Sequence, residues 1–379
     1  MSHHAELELF RDNVKKFLQA EIAPHYESWE KAGIIPRETW NKLGDNGLLC
    51  VDMPEEFGGM GAPFEFSCVV LEEVSRAGFN ALGANLAVHS DIVAPYIAHL
   101  GSEAQKKHYL PKMASGDCVG AIAMTEPGAG SDLQGAKTSA VKDGDDFVLN
   151  GSKTFITNGQ HAGVVITFTK TDPKAGAKGT TLFLVDADTK GFSRGRNLDK
   201  IGQHCGDTSE LFYDNVRVRP EAVLGAVGNG FGHLVDELPR ERLTLAVGAL
   251  GAIDGMLAMT IDYVKQRKAF GQPLSSMQNT RFEIADMATQ ADMLRAYVNH
   301  CAVAYAAGRM DVPMAAKVKL AATELQCKVA DRCLQLFGGY GYMTEYAISR
   351  HFVDARIQRI YGGTSEIMKE VIARALLGR

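Results

Sequence analysis

The chain has 379 residues, of which 46% are hydrophobic and 22% are charged; these values are typical of globular proteins and exclude a disordered or low-complexity chain. The 40 Lys and Arg residues against 45 Asp and Glu residues give a net charge of -5. Without a basic surface field, a nucleic acid is not expected as a partner. No uninterrupted apolar run approaches the ~20 residues of a membrane-spanning helix, so an integral membrane protein is not expected either.

Seven cysteines are present without any CxxC pair. An odd number with this spacing favours neither a disulfide framework nor a zinc site, and it indicates a reducing compartment. The 11 histidines show no spacing typical of metal ligands, and we expect no bound metal. No basic segment followed by an apolar one is visible at the N-terminus, so a secretion signal is not expected.

Residues 1–117 are predicted to form a helical domain. Near the N-terminus, apolar residues recur at helical spacing, namely Leu7, Phe10, Val14, Phe17 and Leu18. Further helical patterns cover residues 36–50, 64–77 and 81–114.

Residues 118–222 are predicted to form an antiparallel sheet or a small barrel. Short runs rich in β-branched and aromatic residues, such as GVVITFTKT and GTTLFLVDAD, are separated by Gly, Asn, Asp and Pro. Asn150-Gly151 and Asn158-Gly159 are dipeptides typical of tight turns, so a tight turn is predicted at each.

Residues 223–379 are predicted to form a helical bundle, because amphipathic patterns of helical period return at about residue 228 and continue to the end. The order helical, β, helical is not the alternation of a doubly wound sheet. The predicted fold class is therefore a multi-domain α+β protein, mostly α. It has an N-terminal helical domain, a middle antiparallel β-domain and a C-terminal helical bundle.

Several familiar motifs are absent from the sequence. GxGxxG, GxxxxGK[ST], HExxH and GxSxG do not occur in the required contexts, which excludes a Rossmann dinucleotide site and a P-loop. Four other segments carry hydroxyls, aromatic residues or glycines that allow a ligand close to the backbone: residues 121–132, 153–159, 335–341 and 361–366. By composition alone, each would equally suit an ordinary turn, hairpin or helix end.

The segment ELPRER, residues 237–242, carries two carboxylates four residues apart. If it is helical throughout, Glu237 and Glu241 lie on one face. Pro239 is tolerated in the first turn of a helix but would kink a helix interior. Without further context the segment would also suit a solvated charged turn.

Taken together, these segments resemble the signatures of the acyl-CoA dehydrogenase family. The resemblance spans nearly the whole chain and rests on MTEPGAGSD, GSKTFITNG, RKAFGQPL with Gln278, QLFGGYGY and IYGGTSEIMKEVIAR, in this order. LPRERL and YGGTSEIMKE are most similar to the long-chain branch. The resemblance implies an N-terminal helical domain, a middle β-domain and a C-terminal four-helix bundle.

The resemblance also implies FAD, bound between the β-domain and the C-terminal bundle. For the flavin and phosphate side it indicates Met124, Thr125, Gly130, Ser131, Phe155, Ile156, Thr157, Thr364 and Glu366. For the adenine-diphosphate half it indicates Arg267, Phe270, Gln278, Gln335, Gly338 and Gly339. Many relatives have Trp at the position of Phe155, so here the ring face is retained and an indole N–H is lost.

The reaction implied by the resemblance removes the α-proton and the β-hydride of an acyl-CoA and gives the trans-2-enoyl-CoA. In some branches the base is a Glu of the YxGT motif, but here that position is Gly362, which keeps only its backbone N–H for the oxyanion hole. A second family arrangement places the base on the helix carrying LPRERL. Its match is Glu241, whereas Glu237 lies one turn too early; burial would raise the pKa of such a carboxylate toward neutrality.

Substrate contacts implied by the resemblance are Ser131, Pro239, Arg242 and Gly363. The small residues of segment 83–90 would line an acyl tunnel for a long or branched chain, although close helix packing would explain them equally. A homo-oligomer, usually a tetramer, is implied, with electron-transfer flavoprotein as the electron acceptor.

Two classes of alternative stay open at this point. An oxidase or a monooxygenase of the same fold would use O2, and a non-catalytic acyl-CoA-binding protein would keep only the scaffold. Since no basic, Ser-rich presequence is visible, we expect a bacterial cytoplasmic location, with a processed mitochondrial matrix enzyme as the alternative.

Overall fold

The computed structural model of the protein describes residues 3–378. The first part of the chain is helical, as predicted, and its buried apolar side chains form one core with those of the C-terminal helices. Val14, Phe17 and Leu18 of the predicted apolar stripe are buried. The helices are α1 (His3–Phe17), α2 (Tyr26–Ala32), α3 (Glu38–Asp45), α4 (Phe64–Arg76), α5 (Asn80–Leu86), α6 (Ala94–Leu100) and α7 (Glu103–Ala114).

Helices α5 and α6 are joined without a break by a π-helical turn at Ala87–Val93. The N–H of Ala94 bonds to the carbonyl of His89, five residues back instead of four. Within this turn the buried imidazole of His89 accepts from the N–H of Gly120 at 3.0 Å and donates to the carbonyl of Met113 at 3.0 Å. The turn therefore fixes the start of the β-domain against the N-terminal helices.

The helical pattern predicted over residues 81–114 is interrupted at Gly101. Ser102 caps α7, since its hydroxyl accepts from the N–H of Gln105 while the Gln105 side chain accepts from the N–H of Ser102. This reciprocal capping box starts a new helix in a new direction.

The middle of the chain forms one sheet with strand order β6-β7-β3-β2-β4-β5-β8, and β1 pairs with β4. Most pairings are antiparallel, as predicted, but β1 runs parallel to β4, and Ser139 and Lys170 form one parallel pair between β2 and β4. The strands are β1 (Val119–Ala123), β2 (Ser139–Asp143), β3 (Asp146–Thr157), β4 (Ala162–Lys170), β5 (Thr180–Asp186), β6 (Phe192–Asn197), β7 (Thr208–Val218) and β8 (Val223–Leu224).

The two Asn-Gly dipeptides behave differently. Asn158-Gly159 forms the predicted turn, with Asn158 in the left-handed region at φ 65°. The turn predicted at Asn150-Gly151 is wrong, because this dipeptide lies inside β3, where the pairing with β7 shifts by a β-bulge. A Cβ at Gly151 would lie 2.5 Å from Thr138 Oγ1, so the glycine serves close packing there.

The C-terminal part is a helical bundle, as predicted, with the hairpin β9 (Lys268–Ala269) and β10 (Gln272–Pro273) after its first helix. The first helix packs against α4 as well as against the second and third helices of the bundle, and so joins the two helical parts of the molecule. The helices are α8 (Gly230–Gln266), α9 (Gln278–Ala306), α10 (Val312–Phe337), α11 (Ala347–Ala355) and α12 (Ser365–Leu377).

Helix α8 is long and apolar enough to cross a membrane by length and composition alone. However, 67% of its most apolar window is buried inside the protein, as is typical of a core helix. No group of three or more His, Cys, Asp or Glu side chains between residues 3 and 378 is arranged to hold a metal ion.

Candidate active site

Two buried carboxylates lie one turn apart on α8 and face α6. The hydroxyl of Tyr96 donates to Glu241 Oε1 at 2.8 Å, and Glu237 Oε1 lies 2.8 Å from His99 Nδ1. The prediction that the two carboxylates lie on one face of a helix is therefore confirmed. Pro239 lies between them inside the helix, not in its first turn.

Glu241 has the electrostatic properties of a base that works near neutral pH. Its side chain is buried, and loss of water raises its pKa from 4.5 to about 7. The Tyr96 hydrogen bond and the positive charge of Arg242 lower the pKa, whereas the charge of Glu237 raises it. Burial is the dominant cause, so the carboxylate gives up much of its hydration in exchange for one hydrogen bond.

Arg242, the next residue, is buried with an incomplete set of partners. Its Nε and Nη1 have no hydrogen-bond partner within residues 3–378. Burial lowers the pKa of this guanidinium, and Glu241 acts in the opposite direction. A buried guanidinium with unused donors costs free energy unless a polar or anionic group completes it.

The turn at residues 361–364 closes on the same part of α8. Gly362 has φ 62°, and a Cβ there would lie 2.4 Å from Leu245 Cδ1, one helical turn beyond Glu241. A Cβ at Gly363 would lie 3.7 Å from Arg242 Nη2. The structure therefore brings Gly362 and Gly363 to the turns of α8 that carry the base candidate and Arg242.

A buried lysine holds this turn. Lys319 of α10 is fully buried, and its ammonium donates to the carbonyl of Gly363 at 2.7 Å. Burial lowers its pKa to about 8. A charge-assisted hydrogen bond to a backbone carbonyl limits the positions that the Gly362 N–H can take.

Arg240, the residue before Glu241, fixes the same turn of α8 from its other side. Its guanidinium forms ion pairs with Asp52, at 2.6 Å, and with Asp91, at 3.0 Å, and its Nε donates to the Asp91 carbonyl. The Cζ atom of the Arg240 guanidinium also lies 4.9 Å from the centre of the Phe64 ring. This buried cluster ties α8 to the π turn and to the loop before α4.

The residues predicted for the flavin side lie around the end of β1 and the end of β3. Phe155 is 68% exposed and has φ 59°, at a second β-bulge where the pairing of β3 with β7 shifts. Bulges next to active sites redirect side chains. Met124, Thr125 and Thr157 are partly exposed, whereas the side chain of Ile156 is buried in the sheet core, so only its backbone can face a ligand.

These surfaces fit a flavin with a phosphate tail. The exposed ring of Phe155 offers a flat apolar face, and the backbone beside Thr125 is tied to β3 by the bond from the Thr154 N–H. A Cβ at Gly128 or Gly130 would meet nothing within 4 Å, so the loop leaves open space beside its backbone. Ser131 is exposed on the same loop.

An ion pair lies under this loop. The Lys153 ammonium contacts Glu126 Oε1 at 2.8 Å and donates to the carbonyl of Met124 at 3.0 Å. The Glu126 carboxylate also accepts from the backbone N–H groups of Lys137 and Thr138. Burial lowers the pKa of Lys153 to about 8.

We expect Lys153→Met to weaken FAD binding about tenfold, equivalent to about 1.4 kcal/mol. The change leaves Glu126 buried without its counter-ion and removes the donor to Met124, so the loop loses its fixed position. Fluorescence titration of the apoprotein with FAD measures the effect. Lys142→Met, at an exposed position of β2, is the control. Equal FAD affinity in both variants would contradict this role.

The residues predicted for the adenine-diphosphate half lie on the C-terminal bundle. They follow α8 and begin α9, or lie at the end of α10 and just after it, and all six are exposed: Arg267, Phe270, Gln278, Gln335, Gly338 and Gly339. Phe270 is 96% exposed, and the Arg267 guanidinium lies 5.3 Å from the Tyr340 ring centre. Such an exposed aromatic ring is available for a ligand or a second subunit.

Thr364 and Glu366 lie at the start of α12. The Thr364 hydroxyl caps this helix by accepting from the N–H of Ile367 at 3.2 Å. Glu366 is exposed in the first turn, where hydrogen bonds to its own backbone and to Thr364 lower its pKa.

Sequence reasoning missed four features of the site: Tyr96, His99, Lys319 and the Arg240–Asp52–Asp91 cluster. Arg240 lies in the ELPRER segment, but its partners Asp52 and Asp91 lie in no motif, and neither do Tyr96, His99 and Lys319. Each feature joins groups from distant parts of the chain. The sequence signal available for these residues was a single ionisable side chain within an otherwise apolar helical pattern. Such a pattern does not identify the partner of that side chain.

The buried base candidate, the arginine with unused donors and the exposed ring of Phe155 are features that a flavin-dependent oxidoreductase of acyl thioesters needs. Three domain models of one family match the chain: the N-terminal, middle and C-terminal domains of acyl-CoA dehydrogenase, at residues 4–117, 121–216 and 228–377. The chain belongs to the acyl-CoA dehydrogenase family. It is accordingly an FAD enzyme that acts on the CH–CH group of an acyl-CoA.

Named relatives agree with this family. The mitochondrial long-chain specific acyl-CoA dehydrogenase of Sus scrofa is 48% identical over 375 residues, covering 98% of this chain and 87% of that protein. The mitochondrial isovaleryl-CoA dehydrogenase of Arabidopsis thaliana is 39% identical over 369 residues, covering 97% of this chain and 90% of that protein. Neither supports the oxidase or monooxygenase alternative.

Solved structures show the same three-part fold. The crystal structure of an acyl-CoA dehydrogenase from Geobacillus kaustophilus is similar with a TM-score of 0.96 and 45% identity, covering 99% of this chain and 98% of that one. A glutaryl-CoA dehydrogenase from Mycobacterium smegmatis in complex with FADH2 has a TM-score of 0.93 and 30% identity, covering 100% of this chain and 96% of that one. The predicted fold class is confirmed.

Proposed function

We propose that this acyl-CoA dehydrogenase oxidises long, straight acyl chains and that Glu241 is its catalytic base. The observation that carries the proposal is the buried Glu241 carboxylate, with a pKa of about 7, beside Arg242 and the turn of Gly362. A carboxylate with this pKa is ionised in part at neutral pH and is basic enough to accept a proton.

The chain's own residues account for the proton and the charge. Glu241 takes the α-proton, and the ionised fraction able to do so rises as the pH rises through about 7. The N–H of Gly362 would donate to the thioester oxygen, where negative charge develops. FAD, when bound, accepts the β-hydride. Ser131, Pro239, Arg242 and Gly363 would contact the substrate.

One observation supports a long straight chain over a branched one, and a second supports room for an acyl chain of either kind. Identity to the long-chain specific enzyme is 48%, against 39% for the isovaleryl-CoA enzyme. On α5 and the π turn, Ala84 and Val88 are partly exposed four residues apart, so small side chains share one face. Gly83, in contrast, serves helix packing, since a Cβ there would lie 3.2 Å from Ser75 Oγ.

Anaerobic titration of the purified yellow protein tests the substrate class. When the bleaching is followed by stopped flow, we expect palmitoyl-CoA to reduce the flavin with a second-order rate constant at least ten times that of isovaleryl-CoA, because each buried methylene contributes about 0.8 kcal/mol. Octanoyl-CoA should lie between them. Faster bleaching by isovaleryl-CoA would replace the long-chain assignment with a branched-chain one.

The assembly and the acceptor belong to the same proposal. Exposed aromatic residues of the bundle, Phe270 at 96% and Tyr342 at 80%, support a homo-oligomer such as a tetramer. Electron-transfer flavoprotein would reoxidise the flavin. The proposal keeps the FAD residues assigned above, the domain division at 117/118 and 222/223, and a bacterial cytoplasmic location, since similar proteins occur in Bacillus and Geobacillus.

A further inference from the structure

Within residues 3–378, one group donates a hydrogen bond to the Glu241 carboxylate, the hydroxyl of Tyr96. The ring is fully buried, and its hydroxyl lies 2.8 Å from Oε1. Oε2 makes no hydrogen bond within this part of the chain. One carboxylate oxygen is therefore held, and the other is free to react.

We propose that Tyr96 is a positioning residue for proton transfer, which anchors Glu241 Oε1 so that Oε2 faces the α-carbon of the substrate. This inference rests on the proposed function of Glu241 as the base. In the step, the α C–H bond breaks and an O–H bond forms on Oε2. The electron pair of that C–H bond would form the new C=C bond, while FAD, when bound, would accept the hydride released from the β-carbon.

The Tyr96 hydroxyl also lowers the pH at which Glu241 becomes ionised and can act as the base. A hydroxyl that donates to the ionised carboxylate stabilises the charged form and lowers its pKa. The other charged or titratable groups nearby are His99 on α6, Asp236, Glu237 and Arg242 on α8, and Lys319 on α10 beside Arg242. Of these, Glu237 acts against ionisation of Glu241 and Arg242 acts for it.

Tyr96→Phe removes the hydroxyl and keeps the buried ring. We expect the apparent pKa of flavin bleaching by an acyl-CoA, measured by anaerobic stopped flow, to rise by about one to two units. The rate at pH 7 then falls about 5- to 50-fold and recovers above pH 9. A merely structural hydroxyl would lower stability without moving this pKa.

Tyr26→Phe is the matched control. Tyr26 is also a buried tyrosine, and its hydroxyl accepts from the N–H of Ala81 on α5, away from the base. Its pH profile should equal that of the unmodified enzyme. Incorporation of 3-fluorotyrosine at position 96 provides a test in the opposite direction, since a more acidic donor should lower the apparent pKa.

Glu241→Gln in the same series separates the two proposals. If Glu241→Gln abolishes bleaching and Tyr96→Phe keeps the original pH profile, the role of Tyr96 is refuted while the base assignment stands. If Glu241→Gln still bleaches at the normal rate, both are refuted. Should Tyr96→Phe fail to fold, an unchanged profile with 3-fluorotyrosine would refute the role of Tyr96.

Discussion

Replacing Glu241 with glutamine is expected to leave FAD bound and to slow its bleaching by acyl-CoA about 10²- to 10⁴-fold. The amide has nearly the shape of the carboxylate and can still contact Tyr96, but it cannot accept the α-proton. Stopped-flow absorbance under anaerobic conditions measures the rate, and the flavin spectrum of the purified variant reports cofactor content.

Glu237→Gln is the matched control for this result. Glu237 lies one turn earlier on the same helix, is also buried, and differs in having His99 as its partner instead of Tyr96. Its loss removes a negative charge near Glu241 and should change the rate at pH 7 only a few-fold. If the Glu237 variant were inactive and the Glu241 variant active, the two assignments would be reversed.

Arg240→Leu is expected to destabilise the fold by about 3–5 kcal/mol, because it leaves two buried carboxylates without their shared counter-ion. Asp52 and Asp91 both pair with Arg240, and Asp91 is 2% exposed. Urea unfolding followed by tryptophan fluorescence measures the change, since both tryptophans, Trp29 and Trp40, are buried in the N-terminal helices.

The loss of stability in Arg240→Leu should depend on pH with a definite sign. Burial raises the pKa of Asp91 to about 6, above its ordinary value of 3.8, and loss of Arg240 would raise it further. The folded variant then holds a proton that the unfolded chain has released. Its stability should therefore fall as the pH rises, with a smaller deficit at pH 5.5 than at pH 8.

Arg217→Leu is the control for Arg240→Leu. Arg217 also pairs with two aspartates, Asp143 and Asp146, but its side chain is 52% exposed on β7. Exposed ion pairs contribute at most about 1 kcal/mol. Equal destabilisation by the two leucine variants would show that burial of the Arg240 cluster has no special role.

The sequence predicts those parts of the molecule that are encoded locally. Helical periodicity and β-rich runs give the order of the three parts, and the spacing of Glu237 and Glu241 gives their common face. The motif match, not the spacing, favours Glu241 over Glu237. The structure adds a reason why the base is not at position 362. A Cβ at Gly362 would lie only 2.4 Å from Leu245 Cδ1.

The parts that the sequence did not predict depend on distant pairing. Asn150-Gly151 has the composition of a turn, but β7 lies beside it and converts the extra residue into a bulge. The left-handed Phe155, whose ring is exposed, depends on a second bulge in the same pair of strands. Tyr96 lies 145 positions from Glu241, and no local pattern indicates that the two meet.

The π-helical turn at Ala87–Val93 sets the angular phase of the helix segment that follows it. A π turn holds one residue more than an α turn, which rotates later side chains by about 100° around the axis relative to an unbroken α-helix. Tyr96 and His99 point at the two carboxylates of α8 with that offset in place. The partner of the base is therefore determined by the number of residues between Leu86 and Ala94, as well as by which residues they are.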